Sequence, residues 1–589
     1  MKKLLLLLSL FWVVYAHAQV VQNWTSGLPT GGYNNHTIAT DSQGNIYSVG
    51  TYDGTARDFD PGSGVFTMSS FSNSMYILKL DSSGNFIWAK EIGGPTNYAI
   101  TSATAIAIDS LDNIYISGST DKIVGFGNLD FDPGATIVNV TNPTSHYVMY
   151  ILKLDSNGNH IWNAQFNNPA NTSYDLDTIQ SIKVDTSGNV YATGGYNGTV
   201  DFDPGSAVFN LTSGTTSLST EIFILKLNSS GNLVWAKALQ NNSTTTGSKV
   251  DKGYALDLDT SGNVYSVGYF WGGIDADPGT GIHNLVGYTS DNPVLSASNV
   301  LYVSKLDASG NFVWAYNLIG DHNLQFLPSL VVDGSNNIIV SGYMSGNTSA
   351  LTDFDFGTNT AYLSSTSGPF VLKIDASANF IWVKSTASIT TAINAQSYGT
   401  GMTLDAAGSI YTTGGIYNGT YDFDPSSGTS LVTPSNVDAY ISKLDTNGNF
   451  VWATKVGGTG LEWGYSIAVS QSGKITVSGS TDTGFSKSAA TVTGAGGFLA
   501  SFTQPALSAT QFELEKNISF YPNPTKGVLN IKATSLITKI AIYDMLGNEI
   551  LTQNSNSETI DLSVFTSGIY FSKIYLENGV VATKKIIKE

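Results

Sequence analysis

From Ser181 to Trp235, apolar and polar residues alternate in short runs separated by tight turns. Ser181-Ile-Lys-Val-Asp185 and Val190-Tyr-Ala-Thr-Gly194 flank Thr186-Ser187-Gly188-Asn189, a pattern of two β-strands joined by a hairpin turn. The Asp caps such a turn and the Gly takes its left-handed position. A second hairpin is predicted from Phe223-Ile-Leu-Lys-Leu227 and Asn232-Leu-Val-Trp235. Phe223, Leu225 and Leu227 fall on one face of that strand and Ile224 with Lys226 on the other. Both faces are largely apolar, as in a sheet lying between two other sheets.

The same text recurs along the chain. Asp-x-x-Gly-Asn-(Ile/Val)-Tyr-x-x-Gly stands near Asp41, Asp109, Asp185, Asp259, Asp333 and Asp405, and in weaker form at Ser470. Phrases like Tyr76-Ile-Leu-Lys-Leu-Asp-Ser-Ser-Gly-Asn-Phe-Ile-Trp88 follow, one of them with Asn228 for Asp. Substitutions fit the turn chemistry. Asp112 and Asn336 replace the turn Gly and tolerate positive φ, whereas Ala378 predicts a strained or differently built turn. Copies lie 65 to 79 residues apart. Four-stranded units repeated at this spacing and stacked on their neighbours describe a β-propeller.

The count of seven rests on the ends. The last unit has strands around Ser470–Gly479 and Phe498–Phe502 but no Trp-bearing fourth strand, while Trp24 stands alone near the N-terminus. The expectation is that the segment around Trp24 supplies the missing strand and leaves no open edge. Trp24, Trp88, Trp162, Trp235, Trp314, Trp382 and Trp452 then form one equivalent set.

Composition refines this reading. The chain has 589 residues, only 12% of them charged, with 61 Gly and 30 Tyr, which suits short strands and turns. The net charge is −18. Met1 to Ala18 is basic and Phe512 to Glu589 is balanced, so the middle carries the acidic excess, with Arg57 as its single arginine. Such a surface repels nucleic acid and anionic membranes. Cysteine is absent, which excludes disulfides, zinc-thiolate sites, thiol nucleophiles and a lipoprotein anchor. Lys2 and Lys3, the apolar run Leu4–Tyr15 and Ala16-His17-Ala18 are the three parts of a secretory signal peptide at residues 1–18. No later apolar run is long enough for a transmembrane span.

Asp-x-x-Gly-Asn-x-Tyr followed by Asp58-Phe-Asp60-Pro-Gly62 resembles the bacterial SBBP β-propeller repeat, over roughly residues 20–503. That resemblance implies the fold and a secreted context and implies no reaction. The alternating aspartates recur as Asp130/Asp132, Asp201/Asp203, Asp275/Asp277, Asp353/Asp355 and Asp422/Asp424. Two carboxylates on one side of an extended chain can hold calcium or another hard cation. Asp-Pro-Gly is also an ordinary turn, a reading that leaves the first Asp without a role. No other cofactor is indicated.

After Phe502 the repeats stop. Residues 504–516 read as a linker, and 517–589 as short alternating strands with turns, a small β-sandwich. Tyr521-Pro522-Asn523-Pro524 with Gly527, Tyr543-Asp544 with Gly547, Asp561-Leu562, Gly568 with Tyr570, and the strand bearing Lys584, Lys585 and Lys588 are similar, in order and spacing, to the type A C-terminal sorting domain of the type IX secretion system of Bacteroidetes. The resemblance implies that these residues carry a sorting signal read by the secretion machinery at the outer membrane. It also implies that the protein is then released or fixed at the cell surface. The fold class expected is therefore all-β: a seven-bladed β-propeller over 19–503 followed by a small C-terminal β-sandwich sorting domain.

Chemistry is less legible. His36, His146, His160, His283 and His322 form no metal motif, and no nucleophile elbow or phosphate loop is present. Residues repeated in every unit read as scaffold. The fourth unit departs from the repeat with Tyr269-Phe-Trp271 and a long insertion from Val286 to Val300, and Trp463 stands outside the pattern of the seventh. Trp271 and Trp463 are candidate aromatics for stacking on a ligand, although packing beneath a loop is the commoner role. The leading expectation is a non-enzymatic binding or adhesion scaffold for a glycan or protein. An extracellular polysaccharide-acting enzyme with channel carboxylates and a structural surface-layer or gliding-associated protein are the alternatives.

Overall fold

A computed structural model describes residues 20–28, 37–70, 73–93, 101–120, 130–134, 136–138, 148–168, 177–214, 219–242, 250–287, 299–322, 327–345, 352–363, 367–391, 396–487, 490–493, 495–504, 519–533, 536–544, 549–554, 558–576 and 581–589. The signal segment, most of the linker, His36, His146, Gly547 and most of the Val286–Val300 insertion lie outside the described residues. Regular structure among the described residues is all strand. The chain divides into two compact units at Gln504/Pro505.

The N-terminal region is propeller-like, built from small antiparallel sheets. Unit 3 shows the plan, with strands Thr178–Val184, Val190–Tyr196, Glu221–Leu227 and Leu233–Asn241 each pairing with the next. The corresponding first strands are Thr37–Thr40, Thr101–Ile108, Lys252–Leu258, Ser329–Val332, Gln396–Leu404 and Glu462–Val469. Each touches the first strand of the following unit, and Glu462–Val469 touches Thr37–Thr40. In the seventh sheet the outer strand is Val21–Leu28, paired with Gly496–Thr503 so that Trp24 faces Ser501. The register shift between Gln22 and Trp24 is the one that recurs in the other Trp-bearing strands, as between Phe86 and Trp88.

Strand direction alternates, so the hairpin turns of each unit, two in all but the seventh, lie at one end of the sheets. The loops between second and third strands, and the connections to the next unit, lie at the other end. The middle strands are buried on both faces, as in Val190–Tyr196 and Val148–Leu154.

The C-terminal unit contains a three-stranded and a four-stranded antiparallel sheet. Leu529, Ile531, Ile540, Ile542, Ile560 and Ile574 meet in its core.

Candidate functional site

The repeated residues interlock. Asp41 Oδ1 accepts the backbone N–H groups of Gln43 and Asn45, and its Oδ2 accepts Asn45 Nδ2 (2.8 Å) and the Tyr47 hydroxyl (3.3 Å). Lys79, from the third strand, lies over the Tyr47 ring at 4.8 Å with its ammonium 3.6 Å from Asp41. Substituted units show how these groups compete for one oxygen. Where Ile339 replaces the Tyr, Lys373 closes to 2.9 Å on Asp333, and where Ser409 replaces the Asn, Lys443 stands 3.2 Å from Asp405. Burial opposes the charge on Asp333, yet Lys373 and Asn337 hold its carboxyl below the ordinary range.

The Trp set joins neighbouring units. Tyr47 and Trp88 meet edge to face at 6.1 Å. Trp162, Trp235 and Trp314 donate from Nε1 to the backbone carbonyls of Ser229, Ala308 and Ala376 in the next unit's second turn. These rings lie so close to the turn that a Cβ on Gly310 would stand 2.9 Å from Trp235. Asp112, Asn336 and Ala378 adopt φ of 61°, 62° and 67°. Ala378 keeps the hydrogen bonds of its glycine counterparts (Ala378 N to Asp375 O, 2.9 Å), so this turn is the strained version of the common build.

In the Asp-x-Asp turns, Asp58 Oδ1 accepts from Asp60 N (3.0 Å) and Phe66 N (2.8 Å), and Asp60 Oδ1 accepts from Gly62 N (2.7 Å). The same bonds recur at Asp201/Asp203 and Asp353/Asp355. The first Asp therefore has a role that sequence reasoning missed: it braces the far side of its own loop. It also bridges outward, since Asp201 pairs with Asn167 and Asp275 with Gln240 of the preceding unit. The intervening Phe131, Phe202 and Phe354 are fully buried. In the fourth unit Ala276 takes that place and packs with Phe270, Ile274 and Leu285. Among the described residues, no three His, Cys, Asp or Glu side chains are placed to hold one metal ion.

A cavity of about 460 Å³ is lined by residues of the first strands described above, from Thr37 round to Tyr465. Register shifts in the first strands make Thr104, Gln180, Tyr254 and Tyr465 the extra residues of β-bulges. All four line the cavity. Bulges re-aim side chains in this way and recur beside functional sites. None of the four belongs to the repeated phrases, which is why sequence reasoning passed over them; the irregular Gly253-Tyr254 and Gly464-Tyr465 steps were the available signal. Tyr254 stacks edge-on with Tyr269 at 5.7 Å, and burial raises its pKa. Tyr465 Oη lies 2.9 Å from Ser480 Oγ. Lys183 reaches the same cavity and pairs with Asp257 at 3.5 Å.

Trp271 and Trp463 are half-buried and do not line this cavity. Trp271 N donates to Asp251 Oδ1 (2.7 Å), and the Trp463 ring packs on Gly415 and against Tyr343. His160 bonds Asn163 (3.0 Å) and His283 bonds Ala315 O (2.9 Å), so both serve local structure.

In the C-terminal unit the two ends of the expected signal meet. Asn523 Nδ2 donates to Lys585 O and Asn523 Oδ1 accepts from Ile587 N, both at 2.8 Å. Thr525 N donates to Ile587 O (2.8 Å) and Glu589 N to Thr525 O (2.9 Å). The Tyr521–Gly527 loop therefore covers the edge of the last strand, where Pro522 and Pro524 prevent it from continuing the sheet. Tyr521, Pro522, Pro524 and Lys585 are exposed, Lys584 and Asp544 half-buried, and Lys588 buried. Gly527 O accepts from Leu562 N (3.0 Å), Asp561 Oδ1 from Ser563 N (2.8 Å), and the Tyr570 hydroxyl donates to Thr566 O (2.8 Å). Tyr543 donates to Glu549 at 3.0 Å, and Gly568 opens the strand Gly568–Leu576.

Comparison with known proteins gives this unit its meaning. The secretion system C-terminal sorting domain matches residues 519–589. The chain carries a type IX sorting domain. A β-propeller repeat of the SBBP type matches residues 87–122. The protein is secreted or attached to the cell surface, and its sorting domain engages the type IX apparatus. An uncharacterized WD repeat-containing protein of Acanthamoeba polyphaga mimivirus is 22% identical over 500 residues, spanning 75% of this chain and 35% of that protein. The chain thus spans about a third of that relative's length. PorZ, a surface component of the type IX secretion system of Porphyromonas gingivalis, aligns with 96% of this chain and 100% of its own at 10% identity and a TM-score of 0.22. A PL25 ulvan lyase aligns with 82% of this chain and 95% of its own at 11% identity and a TM-score of 0.36. Similarity at this level carries nothing about activity. No helix of the described residues is long and apolar enough to cross a membrane.

Proposed function

We propose that residues 19–503 form one closed seven-bladed propeller, joined through residues 504–516 to a sorting domain at 517–589. We further propose that it serves outside the cell as a non-enzymatic binding or adhesion scaffold. The ring reading is supported by the cycle of contacts among first strands and by the pairing of the Trp24 strand with Gly496–Thr503. Sorting is assigned to the loop at Tyr521–Gly527 and the last strand acting together.

One observation carries the binding reading. The repeated turn aspartates are committed to capping their turns, whereas the β-bulge side chains in the shared cavity, beside Lys183, are Thr104, Gln180, Tyr254 and Tyr465. Aromatic faces with neutral hydroxyl and amide groups suit a saccharide, which offers apolar ring faces and hydroxyls. The secreted protein should be retained on a glycan array without cleaving its ligand, and Tyr254→Ala or Tyr465→Ala should abolish retention. Cleavage products would favour the polysaccharide-acting enzyme instead. No retention, or retention unchanged in both variants, would sink this reading.

A further inference from the structure

We propose that Lys455 and Asp438 join in an intramolecular isopeptide bond, with Glu462 as the acid–base group that promotes it. Lys455 Nζ stands 2.8 Å from Asp438 Oδ2, on adjacent outer strands of the sixth unit. Asp438 and Glu462 are both fully buried. Asp438 Oδ2 also accepts from Ser435 N (2.6 Å), while its Oδ1 is buried with no hydrogen-bond partner. Glu462 accepts from Gly458 N through Oε2 and from Thr481 Oγ1 through Oε1, both at 3.0 Å. A Cβ on Gly457 would collide with both Asp438 Oδ1 and Glu462 Oε2, so the two carboxyl groups face the same small space.

Among the described residues the buried Glu462 has no ion-pair partner, and a low-dielectric interior does not tolerate an unpaired carboxylate. Burial, reinforced by Asp438 and Asp482, pushes the Glu462 pKa up. A protonated Glu462 supplies the donor that Asp438 Oδ1 lacks. Its proton passes to Asp438 Oδ1 and makes that carboxyl electrophilic, while the Lys455 ammonium gives a proton to Oδ2, with which it is already in contact. The Nζ lone pair attacks Asp438 Cγ and a second Nζ proton passes to Oδ2. The Cγ–Oδ2 bond breaks with that oxygen departing as water, and Oδ1 returns its proton to Glu462. Ammonium plus carboxylate give amide plus water, so charge and atoms balance with no outside reagent, and Glu462 ends as it began. Contact at 2.8 Å supplies the proximity that condensation in water lacks. The partly exposed Lys455 leaves the water a way out.

The triad is not part of the repeat. By register, unit 3 carries Glu221 and Ala238 at the positions of Asp438 and Lys455, and unit 1 carries Ser74 and Glu91. A chain without cysteine has no disulfide to fix its outer hairpins, and an amide cross-link constrains the unfolded chain in the same way.

Intact mass and tryptic mapping of the purified full chain test the proposal. The expected protein is one water lighter than its sequence. It yields a branched peptide joining the segment that ends at Lys443 to the one containing Lys455, uncleaved after Lys455. Glu462→Gln should return unbranched peptides cleaved after Lys455, in a protein that still unfolds cooperatively. Unbranched wild-type peptides cleaved after Lys455 would overturn it, whatever the variant does.

Discussion

Gln504 Oε1 accepts the indole N–H of Trp452 at 3.0 Å, and the same oxygen takes Lys443 Nζ at 3.1 Å. In the fourth unit the corresponding Trp and Lys reach a backbone carbonyl in the next unit's second turn: Trp314 and Lys305 both donate to Ala376 O. The seventh unit lacks that turn because its outer strand comes from the other end of the chain. A glutamine amide takes the place of the missing carbonyl. On the other side of the same unit, Lys474 reaches Ser82 O, a turn carbonyl of unit 1.

Gln504→Ala should therefore cost more than a surface substitution, about 1–3 kcal/mol for leaving two half-buried donors without an acceptor. Denaturant unfolding of the wild type and variant measures this. Gln504→Glu, which keeps the acceptor, should recover most of the loss. An alanine variant as stable as the wild type would mean that the Trp452 and Lys443 donors are served by water.

The turn glycines make a paired prediction. Gly310→Ala puts a Cβ 2.9 Å from Trp235 at a φ of 79°, and should destabilise by about 2 kcal/mol or more from strain and overpacking together. Ala378→Gly relieves about 1 kcal/mol of left-handed strain but removes a buried methyl worth about 0.8 kcal/mol. Its melting temperature should barely move. A large stabilisation would show that the methyl packs poorly against Trp314.

How legible these features were depended on whether one residue determined its own geometry. The hairpin turns could be read because Asp, Gly and Asn act within a few positions of each other, and the positive φ at Asp112 and Asn336 followed from side-chain chemistry alone. The first Asp of Asp58-Phe-Asp60 could not be read, because its second acceptor contact is with Phe66, eight residues on, and in copies such as Asp201 it also pairs with another unit. The cavity residues were hidden for a related reason. A β-bulge shifts the alternation by one, so Tyr254 and Tyr465 point where period-two reasoning does not put them. Asn523 was identified by resemblance, while its pairing with the last strand needed the structure.

Glu221 gives the pH dependence a sign. Burial raises its pKa despite hydrogen bonds from Gly214 N and Tyr196. The folded state thus holds this proton more tightly than the unfolded chain does. Unfolding releases it once pH exceeds the ordinary carboxylate value, so stability from this group is full in acid and declines as pH rises through the folded pKa. Thermal melts across that range should show a shallower decline in Glu221→Gln than in the wild type. Parallel curves would remove Glu221 from the account.

Asn523→Ala and removal of Lys585–Glu589 should impair export through the same lesion, since Asn523 bonds Lys585 and Ile587 directly. Secreted yield of a fused reporter should fall in each, and the combination should be no worse than the more severe single change. Additive losses would mean that loop and strand are read separately.

The alternation of strand direction has a consequence for how such a protein can change. The turns at one end are held by aspartates, glycines and tryptophans that each serve a neighbour, so a substitution there is felt in two units. Loops at the opposite end meet the preceding unit through short backbone pairings such as Asp201 with Asn167 and Asp275 with Gln240. Beyond those anchors their sequences differ from unit to unit. One end is therefore a fixed base plate and the other a field open to substitution, where a lineage can acquire a new ligand by rewriting loops while every joint beneath them stays as it is.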